Sequence, residues 1–324
     1  MDHKITDITV FGGTGMLGKP VVRALLEAGY RVTVMVRDPD RAADLLPDSA
    51  ILVQGDLTRK KDILSALDGA DAAYLNLSTR PDVKKYHSFI AERDGLENIL
   101  AAVNDINGVQ PVSDIQPASQ TETHNGKSRE RSLFRIKRVS AISSMVHRYQ
   151  GVNGFAWWVF EIKQWAQHIL NVTNVPTTIF YPSTFMETID QGGIMQGNRL
   201  MLVGRSRHPM YFISGLDYGR MVAEDFRRMD EENRAYDIQG TESFRFDEAA
   251  LIFAKNFRHR PLKITKVPMW PVKLMGLLND EVGYLGRIME ALNNYEEPEP
   301  DESVWRLLGR PGTTLEEYAC DCSA

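Results

Sequence analysis

Val10-Phe11-Gly12-Gly13-Thr14-Gly15-Met16-Leu17-Gly18 is the stretch that decides the fold. An apolar, strand-like run over residues 8–11 meets a glycine-rich turn, and an amphipathic helical pattern follows at once. A turn that brings its backbone close to a pyrophosphate has no room for a side chain at Gly12 or Gly15. Gly18 lets the new helix sit tight on the sheet. The free N–H groups of the helix start then face the phosphates, where the helix dipole favours negative charge. Glycine clusters also make ordinary turns, so context decides. With a strand before it and a helix after it, the motif reads as a dinucleotide cradle formed by Gly12, Thr14, Gly15, Met16 and Leu17.

The next residues extend that reading. Leu17, Val21, Val22, Leu25 and Leu26 recur at helical spacing, and Gly29 stands where a C-terminal cap belongs. Residues 31–36 read as a second buried strand, followed at once by Arg37 and Asp38. At this corner an acid hydrogen-bonds the ribose 2′-hydroxyl, whereas an arginine accommodates a 2′-phosphate. Arg37 comes first and Arg41 is near, which favours NADP. In the alternative, Arg37 is a solvated loop charge, Asp38 holds the ribose and the cofactor is NAD.

Composition bounds the class. The 324 residues suit one large domain or two unequal ones, and 43% hydrophobic content is ample for a core. A net charge of −5 gives no ground for nucleic acid or membrane as a partner; an oligomer is compatible with the sequence. The two cysteines, Cys320 and Cys322, have no partner cluster for a metal site, and such sparse use fits a reducing cytoplasm. The charged N-terminus enters a strand directly and carries no signal-peptide pattern, and no apolar run approaches the roughly 20 residues that span a bilayer.

Short apolar runs alternate with helical patterns through the first half, which predicts an α/β, Rossmann-type, doubly wound parallel sheet. Residues 50–54 read as strand three, 72–75 as strand four, 139–143 as strand five and 177–181 as strand six; 60–67 and 155–170 read as helices. Asp56 and Leu57 follow strand three; Asp56 reads equally as an adenine contact or as a plain turn residue. Asn76, Leu77 and Ser78 fall at the carboxyl end of strand four, where open α/β sheets bind ligands. Residues 83–103 read as one long helix. The Rossmann domain is assigned to 1–182, and 183–324 to a smaller C-terminal substrate region with helices at 217–228 and 246–257.

Residues 104–134 interrupt the pattern with a Gln-, Ser-, Thr- and Asn-rich insertion, basic over 127–138. It reads as a solvated insertion, or as a lid or basic partner surface. Residues 296–302, acidic and carrying Pro298 and Pro300, read as an exposed connector, after which Val304, Trp305, Leu307 and Leu308 dock the tail. Phe155, Trp157, Trp158, Phe160, Phe185 and Met186 read either as core or as the wall of an apolar pocket, and Met195, Met201 and Met210 carry the same two readings.

The chain resembles the NmrA-like and isoflavone reductase-like atypical members of the short-chain dehydrogenase/reductase superfamily. The likeness rests on residues 12–18, on Arg37, on Phe160-Glu161-Ile162-Lys163 with the following 175–185, and on Leu308-Gly309-Arg310-Pro311 near the end. It implies a phosphate-binding turn, an NADP-selecting Arg37, a catalytic Lys163 that also holds the nicotinamide ribose, and Tyr181 and Pro182 beside the cofactor. Two positions depart from ordinary superfamily members. Val159 stands where a tyrosine acts as general acid/base, and Met145 stands where a catalytic serine lies. His147, Tyr149 and Tyr181 are candidate substitutes for the missing acid, or packing residues.

These readings together predict an NADP-binding oxidoreductase that reduces a small, partly apolar carbonyl or activated alkene. The resemblance also admits a non-catalytic NADP(H) redox sensor, which the apolar Val159 and Met145 suit. An epimerase or dehydratase is a third alternative, opposed by the missing tyrosine.

Overall fold

The first strand, β1 (Asp7–Phe11), pairs on both edges and is covered on both faces, so Ile8, Val10 and Phe11 are buried together with Thr9, whose Oγ1 donates to the Ala66 carbonyl at 2.8 Å. The computed structural model describes residues 4–86, 88–109, 134–228 and 230–322. β1 is joined by β2 (Arg31–Val36), β3 (Ile51–Gln54), β4 (Ala72–Leu75), β5 (Arg138–Ile142), β6 (Thr177–Pro182) and β10 (Arg234–Ile238) in one seven-stranded sheet. The order is β10-β6-β5-β4-β1-β2-β3, and every pairing is parallel. Helices α1 (Gly18–Glu27), α2 (Pro39–Ala43), α3 (Lys60–Ala66) and α4 (Leu96–Asn107) and the helix Trp158–Val172 supply crossovers to the sheet. Two apolar clusters cover its faces, one around Val10, Val22, Val34 and Tyr218, the other around Phe11, Ile99, Val139 and Ile179. The Rossmann-type α/β reading therefore holds. The strand order reverses between β1 and β4, and the crevice there is where such sheets bind ligands.

The segment after 182 does more than lean on this sheet. β10 comes from it and forms the sheet's edge, and the helix Gly215–Asp225 packs on α1. Gly219 makes that approach feasible, since a Cβ there would lie 2.8 Å from the Pro20 carbonyl oxygen. The rest forms a small layer of its own. There β8 (Arg199–Val203) pairs with β7 (Met195–Gln196) and β12 (Lys263–Val267), while β9 (Met210–Phe212) pairs with β11 (Glu242–Phe244). Met186, Phe212, Phe246 and Phe253 fill it. Among the described residues no helix is long and apolar enough to cross a membrane.

Three expectations need correction. The helix expected over 83–103 begins only at Ala91, with a π-helical turn (Ala91–Gly95) before α4. Ile90 is extended (φ −111°, ψ 113°), its N–H donates to Asp94 Oδ2 at 2.7 Å, and Phe89 faces a cleft, so the apolar spacing before 91 served a wall. The 296–302 connector is exposed at Glu296, Pro298, Glu299, Asp301 and Glu302, as expected, but not at Glu297. Glu297 accepts from Ser183 Oγ (2.6 Å) and from the Tyr211 N–H (3.1 Å), and burial raises its carboxyl above the ordinary glutamate range. Arg138, the last residue of the basic 127–138 run, is buried inside the sheet. The insertion itself lies outside the described residues over 110–133; α4 ends at Asn107 on Gly108, which takes the left-handed cap conformation (φ 67°).

Candidate active site

The turn after β1 wraps the carboxyl end of the sheet at the strand reversal. Gly12 has φ +83°, and a Cβ there would fall 2.3 Å from the Asn76 carbonyl oxygen; a Cβ on Gly18 would fall 2.2 Å from the Gly12 oxygen. Only glycine satisfies both demands. The Gly15 N–H closes the turn on Gly12 O at 3.2 Å, and Asn76 Nδ2 donates to the same oxygen at 3.2 Å, which pins the loop to β4. A Cβ on Gly15 would meet no atom closer than 3.4 Å, so this glycine keeps open the space in front of the turn.

That space opens into a cleft of about 630 Å³, within the range of cofactor sites. Its walls bring together Gly12, Thr14, Gly15, Met16 and Leu17 from the turn, Arg37 after β2, Asp56 and Leu57 after β3, Asn76, Leu77 and Ser78 after β4, and Lys163 from the helix Trp158–Val172. These are twelve of the fourteen residues singled out from the sequence. Asp38 is not on the lining. Its Oδ1 accepts the Arg41 N–H at 3.1 Å as the N-cap of α2, with Pro39 at the first helical position. Asp56 lines the cleft while its Oδ1 accepts the Thr58 N–H at 2.8 Å, and that bond holds its carboxyl below the usual range. The turn reading of Asp56 is thus realised in the fold.

Tyr181 and Pro182 do not line the cleft. They are buried at the end of β6, where the Arg148 guanidinium lies 4.9 Å from the Tyr181 ring centroid and forks onto Asp237 of β10 at 2.5 and 2.8 Å. This bidentate pair closes the β6 end of the sheet over Tyr181, and burial raises the phenol's pKa. His147 is no acid substitute either. Burial pushes its imidazole down to about 4; its Nδ1 faces the Ser144 carbonyl and its Nε2 takes the Gln167 amide at 2.8 Å. Met145 and Val159 are fully buried among apolar neighbours. The aromatic set proved to be packing. Phe155, Trp157 and Phe160 cluster with Tyr149, and the Trp157 ring stands 4.9 Å from Tyr284. Phe185 and Met186 lie in other core clusters, and Met195, Met201 and Met210 belong to the small C-terminal layer.

Lys163 has a partner that sequence reasoning missed. Its Nζ donates to Glu92 Oε1 at 2.6 Å, and Thr79 Oγ1 donates to Glu92 Oε2 at 2.9 Å. The Glu92 side chain is only 6% exposed, and it sits on the π-helical turn, a distortion found mostly at functional sites. Tyr284, its phenol pushed up to about 12 by burial, donates to the Thr79 carbonyl at 3.1 Å and so ties the C-terminal region to the same corner. The available signal was an acid directly after the apolar Phe89-Ile90-Ala91. A carboxylate there is costly to bury unless a cation meets it.

The comparisons with known proteins agree with this geometry. A family model described as NAD(P)H-binding matches residues 12–198, more than half of the chain, and the chain belongs to that family. It is 22% identical to the NAD(P)H azoreductase of Xenophilus azovorans over 96% of each chain. An NmrA-like family domain-containing oxidoreductase of Aspergillus versicolor is 41% identical over 75 residues, 22% of this chain and 21% of the relative, in line with the resemblance read from the sequence. Among solved structures, the Citrobacter sp. triphenylmethane reductase complexed with NADP(H) superposes with a TM-score of 0.65 at 14% identity, covering 96% of this chain and 98% of that one. Among the described residues no group of His, Cys, Asp and Glu is placed to hold a metal ion.

Proposed function

We propose that the chain is an NADPH-dependent reductase of a small, partly apolar carbonyl or activated alkene. The observation that carries this reading is the Lys163–Glu92 pair on the wall of a glycine-cradled cleft. A side chain on Gly12 or Gly18 would overlap the protein's own backbone, and Gly15 keeps open the space in front of the turn, which supports close approach of a ligand there. Arg37 lines the cleft while the Asp38 carboxylate is engaged in capping α2, which supports Arg37 as the 2′-phosphate partner and NADP over NAD. The azoreductase is similar to this chain in sequence and the triphenylmethane reductase in fold, and both names describe reductases, which supports the reading.

A dihydronicotinamide, when bound, would supply hydride to the acceptor. Lys163 would place positive charge beside the atom that gains electron density, hydrogen-bond the cofactor's ribose and deliver a proton, which solvent would then restore to it. Glu92 and Thr79 fix the ammonium's position and orientation. Val159 and Met145 have no proton to give, and Lys163 lines the cleft, which supports Lys163 as the donor. The same two apolar positions favour a second reading, a redox sensor that binds the cofactor without turnover.

Titration calorimetry with NADPH, NADP, NADH and NAD, followed by an acceptor panel spanning carbonyls, quinones and azo compounds, separates the two. The reductase reading expects both NADP forms to bind alike and NADPH to be consumed with some acceptor. Strong preference for one redox state with no consumption makes the protein a sensor.

A further inference from the structure

Ser143 follows β5 at the strand's carboxyl end, and its N–H donates to the Phe180 carbonyl at 2.7 Å, which extends the pairing with β6. Its side chain lines the cleft beside Lys163. The same two residues line a recess of about 20 Å³ that shares Leu77 and Ile142 with the cleft, so Ser143 and Lys163 face one space. Gln167 stands one helical turn after Lys163 on the helix Trp158–Val172, and its Nε2 lies 3.2 Å from Ser143 Oγ. The neighbouring Ser144 is no rival, because its Oγ is buried and the residue does not line the cleft.

The direction of each hydrogen bond in this corner follows from one fixed acceptor. The Ser144 carbonyl can only accept, so His147 Nδ1, which faces it, carries the ring proton. Burial keeps the imidazole neutral, and Nε2 is left with a lone pair that must accept. Its partner 2.8 Å away is the Gln167 amide, so the NH2 end and not the oxygen points to His147. An amide NH2 does not accept, so its contact with Ser143 Oγ runs the same way. Ser143 therefore accepts from Gln167 and has its own proton to give. No acceptor for that proton is found among the described residues, and the space the hydroxyl borders is the cleft.

We propose that Ser143 is a further catalytic residue: its hydroxyl donates to the oxygen of a carbonyl acceptor bound beside Lys163, and Gln167 and His147 are the positioning residues that turn the hydroxyl that way. This rests on the reductase reading and narrows its acceptor to one with a carbonyl oxygen, as in a ketone, an enone or a quinone. Such an oxygen has two lone pairs and takes Lys163 and Ser143 together, whereas each azo nitrogen offers one. Of the three protons on Lys163 Nζ, one goes to Glu92, which leaves one for the ribose and one for that oxygen. Hydride addition drives an electron pair onto the oxygen, and Lys163 supplies the proton that ends there. Ser143 keeps its own proton and acts as a preorganised donor aimed at the developing charge.

Two measurements on the full chain test this. With nitrogen-15 in its histidines, the His147 ring, identified by the signals lost in His147→Phe, is expected to be neutral and protonated at Nδ1 at neutral pH. A proton on Nε2 reverses the chain of bonds and overturns the proposal before any turnover is measured. The second measurement is consumption of NADPH with a panel of carbonyl and azo acceptors. Ser143→Ala is expected to lower kcat about 10²-fold, with NADPH affinity by calorimetry within about threefold of the parent. Gln167→Glu puts an acceptor where a donor stood and draws the Ser143 proton inward, so it costs about as much as Ser143→Ala. Gln167→Met leaves the hydroxyl free to turn and costs less than about tenfold. Full turnover in Ser143→Ala, equal turnover in the two Gln167 variants, or a parent that consumes azo compounds and no carbonyl overturns the role of Ser143 and leaves the reductase reading standing. A parent that consumes NADPH with no acceptor overturns the reductase reading, and this proposal with it.

Discussion

Lys163 and Glu92 lie 71 residues apart in the chain and 2.6 Å apart in the fold, and on the proposed reading the chemistry depends on that meeting. Lys163→Ala removes the cation on the cleft wall that is bonded to Glu92. The expected loss of turnover is about 10²- to 10³-fold, the scale of a lost proton donor or electrostatic stabiliser, with NADPH affinity falling less than about tenfold. Unchanged turnover in single-turnover assays would remove Lys163 from the mechanism. Glu92→Gln keeps the shape but weakens the hold on the ammonium, and turnover is expected to fall with little change in NADPH binding. At the other end of the cleft, Arg37→Ala should weaken NADPH by about tenfold, some 1.4 kcal/mol, and leave NADH unaffected. An equal loss for both cofactors, read by calorimetry, would show that Arg37 does not select the 2′-phosphate.

Between elements, the informative group is Glu187. It is buried where the short helix Glu187–Asp190 meets the start of Gly215–Asp225. Oε1 accepts the Gly215 N–H at 2.8 Å, whereas Oε2 has no hydrogen-bond partner. Burial, with Asp190 and Asp217 nearby, pushes this carboxyl up to about 7 from an ordinary 4.5. The folded state therefore holds the proton more tightly than the unfolded chain. Its stabilising effect is complete below pH 4.5 and is lost as pH rises through 7, a change on the order of 3 kcal/mol. Glu187→Gln should flatten that part of the stability–pH curve and raise the denaturation midpoint at pH 8. A variant no more stable than the parent at pH 8, by urea unfolding, would show that the carboxyl titrates normally.

Across the whole molecule, a buried charge network joins the sheet edge to the C-terminal segment. Arg234 of β10 donates to Asp225 Oδ1 at 2.7 Å, Thr178 Oγ1 donates to the other oxygen at 2.8 Å, and Arg138 of β5 is capped by the carbonyls of Thr177, Asp230 and Glu232. Burial lowers the Arg138 guanidinium to about 10. Asp225→Ala leaves Arg234 with Asp230 as its carboxylate, 2.7 Å away, and removes the acceptor of Thr178 Oγ1, so the expected cost is about 1–3 kcal/mol, below that of a wholly unpaired buried charge. The measurement is urea unfolding; a loss below about 1 kcal/mol would place the stabilisation in the carbonyl contacts instead.

The sequence by itself determined what local chemistry dictates. The glycine turn, the first four strands, α1 and the lining residues from Gly12 to Ser78 were legible, because backbone close approach, short apolar runs and helical spacing each act within a few residues. The same locality explains the misreadings. Apolar spacing over 83–90 cannot say whether it faces a core or a cleft, and an acid among prolines at 296–302 cannot show that Ser183 waits for it. Tertiary structure alone decided that Glu92 holds Lys163, that Arg148 and Asp237 close the sheet over Tyr181, and that β10 forms the edge of the seven-stranded sheet. Each of these is a pairing between distant segments, and the energy of burying a charge or an edge is set by the partner that folding brings to it.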